Sequence, residues 1–283
     1  MRTLLFTLEY PPFHGGVANY YGNLVKYWPT SAPRSGASVG KPAGGFLNSI
    51  FVLDNNDGRL INRGWPFLKW LPSYFALRRE IKQKQINHVL VGQILPLGTA
   101  TLIYSKFNKI KYSVILHGLD FTLAVKTRRK KIIAKMVLTG SKKIICANNY
   151  TAELVKFTFP SVARKTVVVN PGITNDECRM TNVESITNKY KLHDKIVLLS
   201  VGRLVKRKGF DKVIKAMPEI LKQAPNLVYV IIGDGEEQAN FKFKILNLKL
   251  KSNILMLNQV RDEERNNWYD LCDMFIMPAR NIN

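Results

Sequence analysis

The sequence predicts an α/β protein made of two tandem parallel sheets with helices on both faces. Three observations lead there. Apolar runs of strand length alternate with amphipathic runs of helix length along most of the chain. The strand-length runs are apolar throughout, as strands covered on both faces require. The alternation breaks once, over the polar Thr174–Lys195, and then restarts. The 283 residues suffice for two ordinary domains of roughly 100–200 residues each. The break assigns residues 1–175 to the first and 190–283 to the second.

Taken in order, the first strand is Thr3–Leu8. The apolar run at the N-terminus is too short for a signal peptide and is followed by Glu9-Tyr10-Pro11-Pro12 rather than a small-residue cleavage site. The loop Glu9–Gly16 leads into a helix from Val17 to Trp28, stopped by Pro29. Ser31–Gly45, rich in Ser, Ala, Gly and Pro, exceeds the roughly 2–6 residues usual for such connections and reads as a tolerated insertion. Strands are expected at Ser49–Asp54, His88–Gly92, Tyr112–His117, Lys143–Ala147 and Thr166–Asn170. Helices are expected at Tyr74–Lys84, Leu97–Phe107, Val125–Leu138 and Tyr150–Phe157. After the break come strands at Ile196–Val201, Val228–Gly233, Asn253–Leu257 and Met274–Met277, and helices at Phe210–Lys222, Glu236–Leu248 and Asp262–Leu271.

Composition narrows the function. The formal net charge of +23 attracts nucleic acid, anionic membrane or phosphorylated ligands. Cys146, Cys178 and Cys272 lie far apart without metal-ligand spacing; Cys146 and Cys272 sit in apolar runs and read as core thiols of a reducing compartment. No uninterrupted apolar run reaches the roughly 18 residues of a membrane-spanning helix. There is no repeat of solenoid period.

Ligands in parallel sheets bind beyond the carboxyl ends of the strands, so chemistry is sought there. The first strand leads to Gly15-Gly16, which is either a plain turn or a place where backbone approaches a ligand. Tyr112–Leu116 leads to His117-Gly118-Leu119-Asp120, where the histidine is structural or faces a ligand. Thr166–Val169 leads to the turn Asn170-Pro171-Gly172. Ile196–Val201 leads to Gly202, Arg203, Lys206, Arg207, Lys208 and Gly209, four cations where a helix begins. Helix N-termini, forked Arg and mobile Lys all suit phosphate oxygens. Gly233-Asp234-Gly235 opens the next helix, and Gln259-Val260-Arg261-Asp262 the last, where Asp262 either caps or reads a base edge.

In this order Gly15-Gly16, His117-Gly-x-Asp, Asn170-Pro-Gly, Gly202-Arg-Leu-x-x-x-Lys-Gly209, Gly233-Asp-Gly and Tyr269-x-x-Cys-Asp273 resemble a retaining glycosyltransferase of the family 4 type. That group includes phosphatidylinositol mannosyltransferases and sucrose synthases. Gly202–Lys208 is the most specific piece, and the resemblance spans all but the insertion. It implies the GT-B architecture, two facing Rossmann-like domains with a cleft between them. It implies that Arg203 and Lys208 clamp the donor diphosphate beside Gly202 and Gly233. It implies that Gly15 and Gly16 close on the diphosphate, that His117 meets the transferred sugar, and that Val260 and Asp262 recognise the base. It implies no obligatory metal or cofactor, because the cations stabilise the leaving group. The donor is then GDP-mannose or a UDP-sugar, and the acceptor a lipid or glycan hydroxyl. The resemblance also places a pair of glutamates after Met277-Pro278-Ala279-Arg280; the sequence stops at Asn283, so the second domain is expected to be incomplete and the chain poorly active.

The basic run Lys126–Lys143 carries Arg128, Arg129, Lys130, Lys131, Lys135, Lys142 and Lys143 without an acidic residue. Ile132, Ile133, Met136 and Val137 mark its inward side. Its outer side is either a solvated helix face or a contact with the cytoplasmic face of an anionic membrane. A nucleotide-sugar epimerase of the same fold and a basic nucleic-acid binder are the competing readings. Residues clustered at strand ends, with no nucleic-acid-binding signature, disfavour nucleic acid as a partner.

Overall fold

The computed structural model describes residues 1–13, 15–29, 49–61, 68–172, 183–258 and 260–280. The Ser31–Gly45 insertion and Cys178 lie outside the described residues, as do Gln259 and the side chain of Asp262. Contacts divide the chain into two compact units, Met1–Gly172 and Ile173–Asn283, each with its own sheet.

The first unit runs β1 (Arg2–Phe6), α1 (Gly16–Lys26), β2 (Ser49–Leu53), α2 (Leu71–Lys84), β3 (His88–Val91), α3 (Leu97–Asn108), β4 (Lys111–Leu116), α4 (Leu119–Val125), α5 (Arg128–Gly140), β5 (Ile144–Cys146), α6 (Asn149–Thr158) and β6 (Thr166–Val168). Its six strands are parallel in the order β2-β1-β3-β4-β5-β6. The pleat sends Leu4, Phe6, Val89, Val91, Val114 and Leu116 to one face and Leu5, Leu90 and Ile115, with Tyr21 of α1, to the other. Both faces are therefore covered, which is why these strands show no polar alternation. The order reverses at β1, so a crevice opens beyond the ends of β1 and β3.

The second unit runs α7 (Val183–Tyr190), β7 (Ile196–Val201), α8 (Phe210–Gln223), β8 (Leu227–Ile232), α9 (Gln238–Asn247), β9 (Ile254–Leu257), α10 (Asp262–Leu271) and β10 (Met274–Phe275). Its four strands are parallel in the order β10-β7-β8-β9, so the reversal falls at β7. One face buries Leu198, Tyr229 and Ile231 with Phe210 of α8; the other buries Leu199, Val230 and Ile232 with Trp268 of α10.

Four expectations need correction. The basic helix expected at Val125–Leu138 begins at Arg128 as α5, because Thr127 takes extended backbone and its hydroxyl accepts from Lys130 N–H at 3.4 Å, and a separate helix, α4, precedes it over Leu119–Val125. Only Ala134, Val137 and Leu138 of α5 are buried; Ile132 and Met136, expected inside, are 56% and 46% exposed. Cys272 is half-buried rather than a core thiol, its Sγ donating to Tyr269 C=O at 3.3 Å. The polar interval contains the helix α7, whose Ile186 is buried against the sheet.

Candidate active site

Beyond β7 the chain turns through Gly202–Gly209 into α8. Lys206–Lys208 form one turn of 3-10 helix, and Gly209 follows with φ of 73°. That left-handed backbone favours glycine, and a Cβ there would stand 1.9 Å from Pro278 C=O. The loop is fastened on two sides. On one, Gly202 N–H donates to Ile232 C=O, Leu204 N–H to Asp234 C=O and Glu237 N–H to Leu204 C=O, each at 2.9 Å. Gly233 permits this closeness, since its Cβ would lie 2.0 Å from Gly202 O. On the other, Arg280 donates from its backbone N–H to Arg207 C=O at 2.9 Å and from Nε to Lys206 C=O at 3.0 Å. Its guanidinium meets the buried Asp211 carboxylate at 3.2 and 3.4 Å, and Lys244 stands 4.0 Å from that carboxylate.

The fastened loop presents cations. Arg203, Lys206 and Arg207 are exposed, while Lys208 is half-buried and lies over Gly202, its Nζ 3.7 Å from Met277 Sδ. Burial first, and then the Arg207 charge, push the Lys208 ammonium below its usual range. Among the described residues no carboxylate lies within ion-pair distance of Arg203 or Lys208. A bound anion would offset both effects by attracting the Lys208 ammonium. Gly202, Arg203, Lys208 and Gly233 are thus brought together. Val260 packs against the core face that holds Val201 and Trp268, ahead of α10.

In the first unit, Gly15 is the extended residue before α1, and a Cβ on Gly16 would meet nothing within 4 Å. The first turn of α1 carries no acidic residue, and the nearby carboxylate is that of Glu9, whose Oε2 would lie 3.8 Å from a Cβ on Gly15. His117 follows β4 and is held at several points. Its main-chain N–H donates to Asp120 Oδ1 at 3.0 Å, and its Nε2 lies 2.9 Å from the Tyr21 hydroxyl. That hydroxyl donates to Gly92 C=O at 2.7 Å. The Tyr20 and Tyr21 rings stand edge-on to the imidazole at 5.0 and 5.3 Å. Burial lowers the His117 pKa to about 4 and raises that of Asp120 to about 6, the latter against backbone N–H groups that favour the carboxylate. Asn170, Pro171 and Gly172 are exposed beyond β6.

Sequence reasoning missed Tyr20 and Tyr21, which read as ordinary members of an amphipathic helix, and the fastening role of Arg280. The apolar spacing of α1 carries no sign of a histidine 96 residues further on.

Two parallel α/β units in tandem, each with glycines and charge-bearing or aromatic groups at its strand ends, have the fold of the GT-B class. The description "Glycosyltransferase Family 4" matches residues 14–177, and "Glycosyl transferases group 1" matches residues 182–281. The chain therefore belongs to glycosyltransferase family 4 and is a hexosyltransferase. It is similar to the GDP-mannose-dependent alpha-(1-6)-phosphatidylinositol monomannoside mannosyltransferase of Mycobacterium tuberculosis, 22% identical over 99% of this chain and 73% of the relative. It is similar to the alpha-monoglucosyldiacylglycerol synthase of Streptococcus pneumoniae, 23% identical over 98% of this chain and 65% of that enzyme. In fold it matches Anabaena HepE in complex with UDP, with a TM-score of 0.70 at 14% identity over 99% of this chain and 74% of that one.

Proposed function

We propose that the chain moves a hexose, mannose in the first instance, from a nucleoside-diphosphate sugar to a hydroxyl of a lipid-linked or glycan acceptor, with retention and without an obligatory metal. The observation that carries this reading is the half-buried Lys208 beside Arg203, on a loop fastened from both sides and unpaired with a carboxylate among the described residues. Departure of the sugar leaves a nucleoside diphosphate whose growing charge these cations stabilise, and stabilisation specific to the transition state accelerates the reaction. Gly202 and Gly233 let the phosphates approach the main chain. Gly15 and Gly16 offer N–H groups at the N-terminus of α1 to an anionic part of the ligand. His117 meets the transferred sugar, and Val260 with Asp262 reads the base. The leaving phosphate and incoming hydroxyl share one face of the oxocarbenium-like sugar, which retains its configuration without a protein nucleophile.

GDP-mannose is the favoured donor because the mannosyltransferase relative is named for its dependence on it; UDP-sugars come second, as HepE is described with UDP. A thermal-shift comparison of GDP-mannose, UDP-glucose and ADP-glucose tests this. The largest rise in Tm is expected with GDP-mannose, and no shift with any of the three would contradict a nucleotide-sugar site.

A lipid acceptor is supported by the names of both relatives and by α4 and α5. Their exposed Leu119, Leu123, Ile132 and Met136 accompany Arg128, Lys130, Lys131 and Lys135. Apolar side chains with cations suit the surface of an anionic bilayer. Among the described residues no helix is long and apolar enough to cross a membrane. Sedimentation with vesicles should rise with anionic lipid content; binding indifferent to that content would contradict the surface reading.

A further inference from the structure

We propose that Tyr21 is a positioning residue that fixes His117 as the neutral Nε2–H tautomer, leaving Nδ1 to accept a hydrogen bond from the transferred sugar. This rests on the reading that His117 meets that sugar. The assignment follows from counting protons. The Tyr21 hydroxyl has one, and two neighbours within reach: Gly92 C=O at 2.7 Å and His117 Nε2 at 2.9 Å. The carbonyl can only accept, and it lies at a buried position. If Tyr21 gave its proton to the imidazole, this carbonyl would lose its donor and the imidazole would have to present a bare Nε2. With the proton on Gly92 C=O, the tyrosine oxygen accepts, and Nε2 must carry hydrogen. Only this arrangement satisfies all three groups.

The surroundings are built for that arrangement. Gly92 follows β3, and a Cβ there would lie 2.9 Å from the Tyr21 hydroxyl and 2.8 Å from Thr7 Oγ1, so a larger residue would displace the bridge. Tyr21 is fully buried in the core face that includes Leu5, Leu90 and Ile115. Tyr20 and Tyr21 flank the imidazole edge-on at interplanar angles of 82° and 83°. Asp120 holds the main chain of His117. The ring is thus fixed at Nε2, along its sides and at its backbone, and Nδ1 is the nitrogen left for a ligand.

The chemistry suits a neutral ring. Positive charge grows on the sugar as its bond to phosphate breaks. An imidazolium at that position would oppose it, whereas a lone pair on Nδ1 orients a sugar hydroxyl at no such cost. Burial keeps the ring neutral down to about pH 4.

The test is 15N NMR of the protein labelled at histidine, which has four such residues, with His117 assigned from His117→Gln. The wild type should show Nε2 protonated and Nδ1 not. Tyr21→Phe should give a mixture of tautomers and slow GDP release from GDP-mannose about tenfold, the worth of one good hydrogen bond, with GDP affinity unchanged. A protonated Nδ1 in the wild type overturns the proposal, as does Tyr21→Phe with one tautomer or full turnover. If Tyr21→Phe does not fold, Gly92→Ala displaces the hydroxyl instead and takes the same readouts. His117→Gln at full turnover would defeat the sugar-contact reading itself, whereas a slow His117→Gln with a fast Tyr21→Phe defeats the role of Tyr21 alone.

Discussion

Beyond β4, His117 is held mainly by side chains; beyond β7, Lys208 is held by main chain. The first arrangement spends two tyrosines and a carboxyl to fix one neutral ring whose pKa is driven down by burial. The second uses glycines at 202, 209 and 233 to bring backbones together, leaving the cations themselves exposed or half-buried. On the proposed roles, the difference follows from what each group would meet, a sugar hydroxyl for His117 and a diphosphate for Lys208. A hydroxyl of a sugar needs one lone pair at one angle, which calls for a fixed ring. A diphosphate needs charge, and mobile cations on a rigid loop supply it without a buried, unpaired ion.

The largest expected effect lies on the cationic side. Lys208→Ala should lower kcat by about 10²–10³-fold, the range for loss of one group that stabilises transition-state charge, while Tm stays near wild type because the side chain is half-exposed. Gly209→Ala strikes the same loop through its backbone. Steric conflict with Pro278 and the left-handed φ should cost about 2–4 kcal/mol in denaturant unfolding. A pair in which Lys208→Ala loses rate alone and Gly209→Ala loses stability as well would separate charge from scaffold. Arg280→Ala should fall between them. It leaves the buried Asp211 with Lys244 at 4.0 Å, lowering stability by roughly 1–2 kcal/mol once partial exposure is discounted, and loosens the Lys206–Lys208 turn.

The smallest effect probes the histidine side by pH. His117 has a folded pKa of about 4 against 6.5, so between those values the unfolded chain binds more protons and stability falls as pH falls. Asp120 has a folded pKa of about 6 against 3.8, so in that window the folded chain binds more protons and stability rises as pH falls. The two oppose each other. Relative to wild type, His117→Gln should gain stability on acidification from pH 6 to 4, and Asp120→Asn should lose it, as read from thermal unfolding across that range. Parallel profiles for the two variants would contradict the opposite burial shifts that set the histidine side apart.

The sequence made the scaffold and the charged half of the site readable because both are local. Strands buried on two faces leave unbroken apolar runs, and Gly202–Gly209 places its cations within one short segment after such a run. The short α4 ends at Val125, and the wholly polar Lys126–Lys131 that follows carries no apolar spacing to mark where α5 begins. Ile132 and Met136 show the limit of periodicity: it finds the apolar members of a helix but not how much of that helix a neighbour covers. The tyrosine bridge and the Arg280 staple join residues 96 and 69–74 positions apart, so neither leaves a short-range mark.

The central claim is that the Arg203–Lys208 loop binds the donor through its diphosphate. Calorimetric titration of GDP and GMP into the wild type and Lys208→Ala tests it directly. The account predicts that GDP binds the wild type far more tightly than GMP, and that Lys208→Ala removes most of that difference while leaving GMP binding unchanged. Equal affinities for GDP and GMP in the wild type, or the same preference for GDP in Lys208→Ala, would contradict it.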